Sequence, residues 1–150
     1  MISSDNDLKS HSLLDNEVTN GMRRHVLVVE DNRDSRDMVR TLLTSSITEI
    51  DVTAVETAAE ALVLDAKRPF DLYVLDIWLP GMDGLGLCRR LRERGRRQPI
   101  VFFSAMVQPT DRHYVLAAGA NEFLVKPQDF DRFLPTVRNF LGIEPKEEAA

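Results

Sequence analysis

The sequence predicts an α/β fold, a parallel sheet covered by helices on both faces. Three observations predict it. Five short apolar runs rich in β-branched or aromatic residues recur along the chain, each followed by a stretch of helical periodicity. The first run, His25-Val26-Leu27-Val28-Val29, does not alternate with polar residues, as a strand covered on both faces requires. Carboxylate, hydroxyl or ammonium side chains stand at the ends of most runs, where open parallel sheets bind ligands.

The first strand ends at Glu30-Asp31-Asn32. The helix after it carries Met38, Val39, Leu42 and Leu43 on one face, with Asn32 or Asp34 as its cap. Asp51–Val55 is a short second strand. Thr57 opens a helix with Ala58, Ala61, Leu62 and Leu64, which stops before Pro69. The third strand, Leu72–Leu75, ends in Asp76. Pro80-Gly81-Met82-Asp83-Gly84 is a turn by composition, and Asp83 is placed to bond its own backbone. A helix with Leu85, Leu87, Cys88 and Leu91 runs to Gly95. Ile100–Phe103 is the fourth strand and ends at Ser104. Pro109 suits the first turn of a helix with Val115, Leu116 and Ala117, closed by Gly119. Glu122–Val125 is the fifth strand, ending at Lys126-Pro127. The last helix runs from about Asp129 to Leu141, and Pro135 is expected to kink it or split off its first turn.

The 150 residues, 43% hydrophobic and 29% charged, suit one globular domain. No apolar run approaches the roughly 20 residues of a membrane span. A single cysteine, Cys88, forms no internal disulfide, so the chain reads as cytoplasmic. Cys88 and His25 read as structural residues. The net charge of −5 argues against nucleic acid as the default partner. Residues 1–23 read as a flexible leader with a short amphipathic turn around Leu13, Leu14 and Val18, and 143–150 as a charged tail.

Taken together, the strand ends bring Glu30, Asp31 and Asp76 toward one place, with Ser104 and Lys126 beside them. Three converging carboxylates repel one another and call for a cation. Their all-oxygen chemistry suits Mg²⁺, or Mn²⁺, rather than zinc or copper. The backbone carbonyl of Trp78 would complete the set, and Glu30 is expected to act mainly through water. A metal site alone needs neither Lys126 nor Ser104. A phosphoryl group needs both, because its oxygens must be matched by cations and donors. Asp76 is then a carboxylate nucleophile that forms an aspartyl phosphate.

These residues carry a family resemblance. Glu30-Asp31, Asp76 leading into Leu79-Pro80-Gly81-Met82-Asp83-Gly84, Phe103-Ser104-Ala105, Ala117-Ala118-Gly119-Ala120 and Lys126-Pro127 occur in order. Over residues 24–142 the chain resembles a response-regulator receiver domain of two-component signalling. The resemblance implies a flavodoxin-like, doubly wound five-stranded sheet of order 2-1-3-4-5 with five helices. It implies that Asp76 takes a phosphoryl group from a sensor histidine kinase or a histidine phosphotransfer protein. It also implies Glu30 and Asp31 as the Mg²⁺ pair, Lys126 as the phosphate-binding lysine before a cis Pro127, and Ser104 as the switch hydroxyl. Phe123 falls where relatives carry an aromatic ring that turns inward with that hydroxyl.

Three features depart from the common pattern. Ser104 replaces a commoner Thr, and Phe123 a frequent Tyr. Trp78 and Met106 are bulky at the positions that tune dephosphorylation in relatives, so they are expected to shield the phosphoryl group. Residues 89–97 hold six arginines against one glutamate, which reads as a solvated helix end or a docking patch for an acidic partner. The leading expectation is a stand-alone regulator without a DNA-binding domain or membrane segment, acting on a downstream protein effector through one face of the fold. It is not expected to be an enzyme in its own right. A phosphorylation-independent adaptor of the same fold is the alternative. A phosphohydrolase fits poorly, because Trp78 stands where such enzymes place a second acid.

Overall fold

The computed structural model describes residues 23–105 and 108–145. Residues 1–22, on which the expected leader and its amphipathic turn fall, Met106, Val107 and residues 146–150 of the expected tail lie outside the described residues. Strands and helices alternate: β1 (Arg24–Val29), α1 (Arg33–Ser46), β2 (Ile50–Val55), α2 (Ala58–Lys67), β3 (Leu72–Leu75), α3 (Gly84–Glu93), β4 (Ile100–Ser104), α4 (Pro109–Ala117), β5 (Glu122–Val125) and α5 (Phe130–Leu141). All strand pairs are parallel, in the order β2-β1-β3-β4-β5. The winding reverses between β1 and β3, which is where a fold of this kind opens a crevice at its strand ends.

Alternate side chains of each strand serve opposite layers. Val26 and Val28 pack with Val39 and Leu43 of α1 and with Phe133, Val137 and Leu141 of α5. Leu27 and Val29 pack with Ala58 and Ala61 of α2, Leu87, Cys88 and Leu91 of α3, and Val115 of α4. The caps follow from side chains that accept orphan amides. Asn32 Oδ1 accepts from Ser35 N at 2.9 Å, Thr57 Oγ1 from Glu60 N at 3.2 Å, and Asp83 Oδ1 from Gly86 N at 2.8 Å. Among the described residues, no helix is long and apolar enough to cross a membrane.

Several local expectations are corrected. Met38 points outward, 38% exposed, while Val39 and Leu43 carry the inward face of α1. On α4 only Val115 of the expected trio is buried; Leu116 is exposed, and Ala118 is the second inward residue. Their positions three apart match a helix turn, whereas three consecutive apolar residues cannot share one face. Pro135 lies within a single helix and does not divide it. It sits on the exposed side, where water can meet the carbonyl that its missing N–H leaves free.

The arginine-rich segment divides: Arg92, Arg94 and Arg96 have internal partners, while Arg89, Arg90 and Arg97 are exposed. Asp65 on α2 is fully buried. Arg96 Nε lies 3.0 Å from its Oδ1, and Arg94 Nη1 lies 3.1 Å from its Oδ2. The Tyr73 hydroxyl donates to Asp65 Oδ1 and accepts from Phe70 N at 3.1 Å. Burial and the Asp65 carboxylate together hold the Tyr73 phenol well above its ordinary range. Arginines 94 and 96 thus neutralise a carboxylate inside the α2–β3 layer. Arg92 makes a second set of internal bonds, to the α3–β4 connection and to the turn that follows α4.

Candidate functional site

The register of β1 against β3 aligns Val29 with Leu75, so the next residues, Glu30 and Asp76, leave adjacent strands side by side. Asp76 N donates to Val29 O at 3.0 Å, which fixes that alignment at the strand ends. The carboxylates of Glu30, Asp31 and Asp76 each offer an oxygen within 4.8 Å of the others. Glu30 and Asp76 are buried, while Asp31 faces solvent.

Ser104 and Lys126 close the site from the neighbouring strands. Ser104 Oγ, fully buried, donates to Asp76 Oδ1 at 2.6 Å. Lys126 Nζ stands 3.5 Å from Glu30 Oε1 and donates to Ser35 Oγ at 2.9 Å. The ammonium also lies 5.1 Å from the centre of the Phe103 ring. Lys126 N donates to Ser104 O at 2.8 Å, so the ends of β4 and β5 are locked together. The Lys126–Pro127 peptide is cis.

Burial is the main cause that pushes the Glu30 carboxyl up, to about 8. A hydrogen bond toward Asp76 and the Asp76 charge push the same way, while the Lys126 charge and Ser35 oppose them. Glu30 Oε2 is buried without a hydrogen-bond partner. Such an oxygen is costly unless something satisfies it. A hard divalent cation matches both that oxygen and the all-oxygen set, so Glu30, Asp31 and Asp76 would hold Mg²⁺ here.

That arrangement sets a pH dependence. The Glu30 carboxyl of the folded chain titrates above its ordinary value of 4.5. Its contribution to stability is therefore full below that value and is lost as the pH rises through about 8. Without metal, the unfolding free energy is expected to fall over this interval by no more than about 1.4 kcal/mol per pH unit, and the melting temperature to fall with it. Mg²⁺ should offset the fall, and Glu30→Gln should flatten it. Melting curves across the interval, with and without Mg²⁺, check both expectations.

Three supporting residues were not singled out from the sequence. Ser35 reaches Lys126 because the first turn of α1 begins beside the strand ends; its only signal was its place three residues after the Asn32 cap. Arg36 Nη1 donates to Glu30 O at 3.0 Å and to Asp31 O at 3.3 Å, which steadies the acidic loop. Gly84 packs so closely that a Cβ there would lie 2.0 Å from Asp76 O. A turn composition signals a glycine at that point but not the carbonyl it must clear.

The remaining candidate residues divide. Phe123 is 4% exposed and belongs to the α2–α3–α4 core layer. Trp78 lies on the β3–α3 loop, 63% exposed. Met106 lies outside the described residues.

The fold and this site together define a known class. The response regulator receiver domain family matches residues 26–138, and the chain belongs to it. Among its relatives, the response regulator MprA of Mycobacterium tuberculosis is 35% identical over 129 residues, which cover 86% of this chain and 55% of MprA. The response regulator ArlR of Staphylococcus epidermidis is 30% identical over 125 residues, covering 83% of this chain and 55% of ArlR. The chain thus spans about half the length of these relatives. Among solved structures, the BeF3-activated N-terminal receiver domain of Klebsiella pneumoniae RstA aligns with a TM-score of 0.72 at 28% identity, over 78% of this chain and 97% of that one. The Vibrio cholerae chemotaxis protein CheY4 aligns with a TM-score of 0.71 at 27% identity, over 79% of this chain and 98% of that one.

Proposed function

We propose that this receiver, spanning residues 24–142, accepts a phosphoryl group on Asp76 from a phosphohistidine of a sensor kinase or phosphotransfer protein. The observation that carries this reading is the Ser104 hydroxyl and the Lys126 ammonium flanking the Glu30–Asp31–Asp76 cluster. A cation site alone has no use for a second, fixed cation and a buried donor.

In the transfer, an Asp76 oxygen attacks phosphorus. The phosphorus–nitrogen bond breaks as the phosphorus–oxygen bond forms, and the departing imidazole nitrogen takes the electron pair. Mg²⁺, when bound by Glu30, Asp31 and Asp76 with the Trp78 carbonyl, would neutralise charge on the transferring group. Lys126 is held by Glu30 and Ser35, and it supplies a positive charge for one phosphoryl oxygen. Ser104 already donates to Asp76 Oδ1, so its hydroxyl stands ready to bond an oxygen of the phosphorylated side chain. The chain would then act in the cytoplasm, as a phosphorylated protein whose α4–β5–α5 surface meets a downstream effector.

Titration with beryllofluoride and Mg²⁺ tests the reading. Trp78, the sequence's one tryptophan, reports on it by fluorescence two residues from Asp76. A saturable change that requires Mg²⁺ is expected; no change, with partner affinity unaltered, would favour a phosphorylation-independent adaptor.

Trp78 also sets the lifetime of the phosphorylated state. Trp78 lies on the loop two residues after Asp76, 63% exposed, and its bulk there would limit the approach of water to the phosphoryl group. Trp78→Asn is expected to speed phosphate loss several-fold, measured as decay of the phosphorylated chain; an unchanged lifetime would show that the ring does not shield.

A further inference from the structure

The carboxyl end of α4 is fixed by one side chain from α3. Arg92 Nε donates to Gly119 O at 2.9 Å, and Nη2 to Asn121 Oδ1 at 2.8 Å. Its Nη1 donates to Arg96 O at 2.8 Å and to Gln98 O at 2.7 Å. Asn121 in turn is locked to the start of β4, with Ile100 N donating to Asn121 Oδ1 at 2.9 Å and Asn121 N donating to Ile100 O at 2.8 Å. A planar guanidinium satisfies all these acceptors at once, which a single-point ammonium cannot.

A second observation is steric. Gly119 has φ +110, and a Cβ there would lie 2.8 Å from Arg92 Cγ. The backbone that closes α4 is therefore shaped around the arginine stem. Cys88 Sγ adds a weak contact, donating to Ala118 O at 3.5 Å.

The rest of α4 is held far more lightly. Val115 is its only buried side chain among those described, and Tyr114 and Leu116 are exposed. Its amino end has a local bond, Gln108 N donating to Asp111 Oδ2 at 2.8 Å, and Arg112 reaches Glu122 of β5 only through a largely exposed ion pair at 3.7 Å. That end also follows Ser104, which is bonded to Asp76. The Phe123 ring is already buried, so a surface change has little to gain from moving it inward.

We infer that Arg92 is a positioning residue, the pivot about which α4 responds to phosphorylation, with its amino end moving and residues 118–121 fixed. The inference rests on the receiver reading above. Hydrogen exchange of the whole chain, with and without beryllofluoride and Mg²⁺, tests it. In the wild-type chain, loading is expected to alter exchange in residues 108–114 and to leave 118–121 unchanged. In Arg92→Ala, amides 118–121 are expected to exchange about tenfold faster before loading, as loss of bonds from a charged donor implies. Loading should then alter them too, while β1 and β3 amides and the Trp78-reported affinity stay as in wild type. Arg92→Lys should not restore protection, because it keeps the charge without the fork. Unchanged protection of 118–121 in Arg92→Ala, or equal loading effects on 108–114 and 118–121 in the wild type, would overturn the pivot alone. A wild-type chain whose Trp78 fluorescence ignores beryllofluoride would overturn the receiver reading, and the pivot's part in switching with it.

Discussion

Asp76→Asn is expected to abolish phosphoryl acceptance while leaving the fold intact. The amide keeps the shape of the carboxylate, and its oxygen can still accept the Ser104 hydroxyl that now bonds Asp76 Oδ1. What disappears is the anionic nucleophile, since an amide oxygen does not form a stable bond to phosphorus. The substitution also removes one of three carboxylates that crowd within 4.8 Å. Less repulsion means that the metal-free variant should melt no lower than wild type, and somewhat higher. Loss of transfer together with an unchanged or raised melting temperature separates chemistry from unfolding. Radiolabelled phosphotransfer and thermal melting of the same preparation give both readouts. Retained transfer would remove Asp76 as the acceptor.

Asp65→Ala is expected to be strongly destabilising, although Asp65 is a charged residue outside the acidic site. Asp65 is fully buried and accepts from Arg94, Arg96 and Tyr73. Removing one member of a buried ion cluster costs about 3–5 kcal/mol, because the partners keep their charge or polarity without a match. Arg94 and Arg96 are partly exposed, with side chains 33% and 24% accessible, so water recovers some of that loss. Tyr73 is fully buried and recovers none. A net loss of about 3 kcal/mol is expected, near the lower end of that range. Asp65→Asn should cost less, since its oxygen still accepts from Tyr73. Denaturant unfolding of the two variants checks both the size and the order. Equal, small losses would mean that the cluster is not a structural clamp.

Much of the fold was legible because hydrophobic pattern alone decides it. The five apolar runs became the five strands; of the two cap candidates Asn32 and Asp34, Asn32 opens α1, Thr57 opens α2 as expected, Asp83 caps α3 through the local backbone bond expected of it, and α3 ends two residues before Gly95. The strand order came from the family resemblance and is the one observed. The acidic cluster was legible because parallel strands place their ends together, so Glu30, Asp31, Asp76, Ser104 and Lys126 could be gathered before any geometry was known. What escaped has a common physical origin. Asp65 reads as a solvated helix carboxylate until the tertiary structure brings Arg94 and Arg96 to it from about thirty residues away. Arg92 reads as one of a charge run until its four acceptors are placed around it. Met38 and Leu116 are apolar by type and exposed by position, because the inward stripes of α1 and α4 are already filled by Val39, Leu43, Val115 and Ala118. Ser35 and Gly84 serve the site through contacts that local composition does not encode.

The proposal of an aspartyl phosphate on Asp76 is tested most directly by locating the phosphoryl group. The chain is incubated with a small-molecule phosphodonor and Mg²⁺, the acyl phosphate is trapped by borohydride reduction, and the labelled peptide is sequenced by mass spectrometry. The expected result is a single modification at Asp76 that requires Mg²⁺ and is missing from Asp76→Asn. Modification at Ser104 or another residue, or labelling that persists in Asp76→Asn, would contradict it.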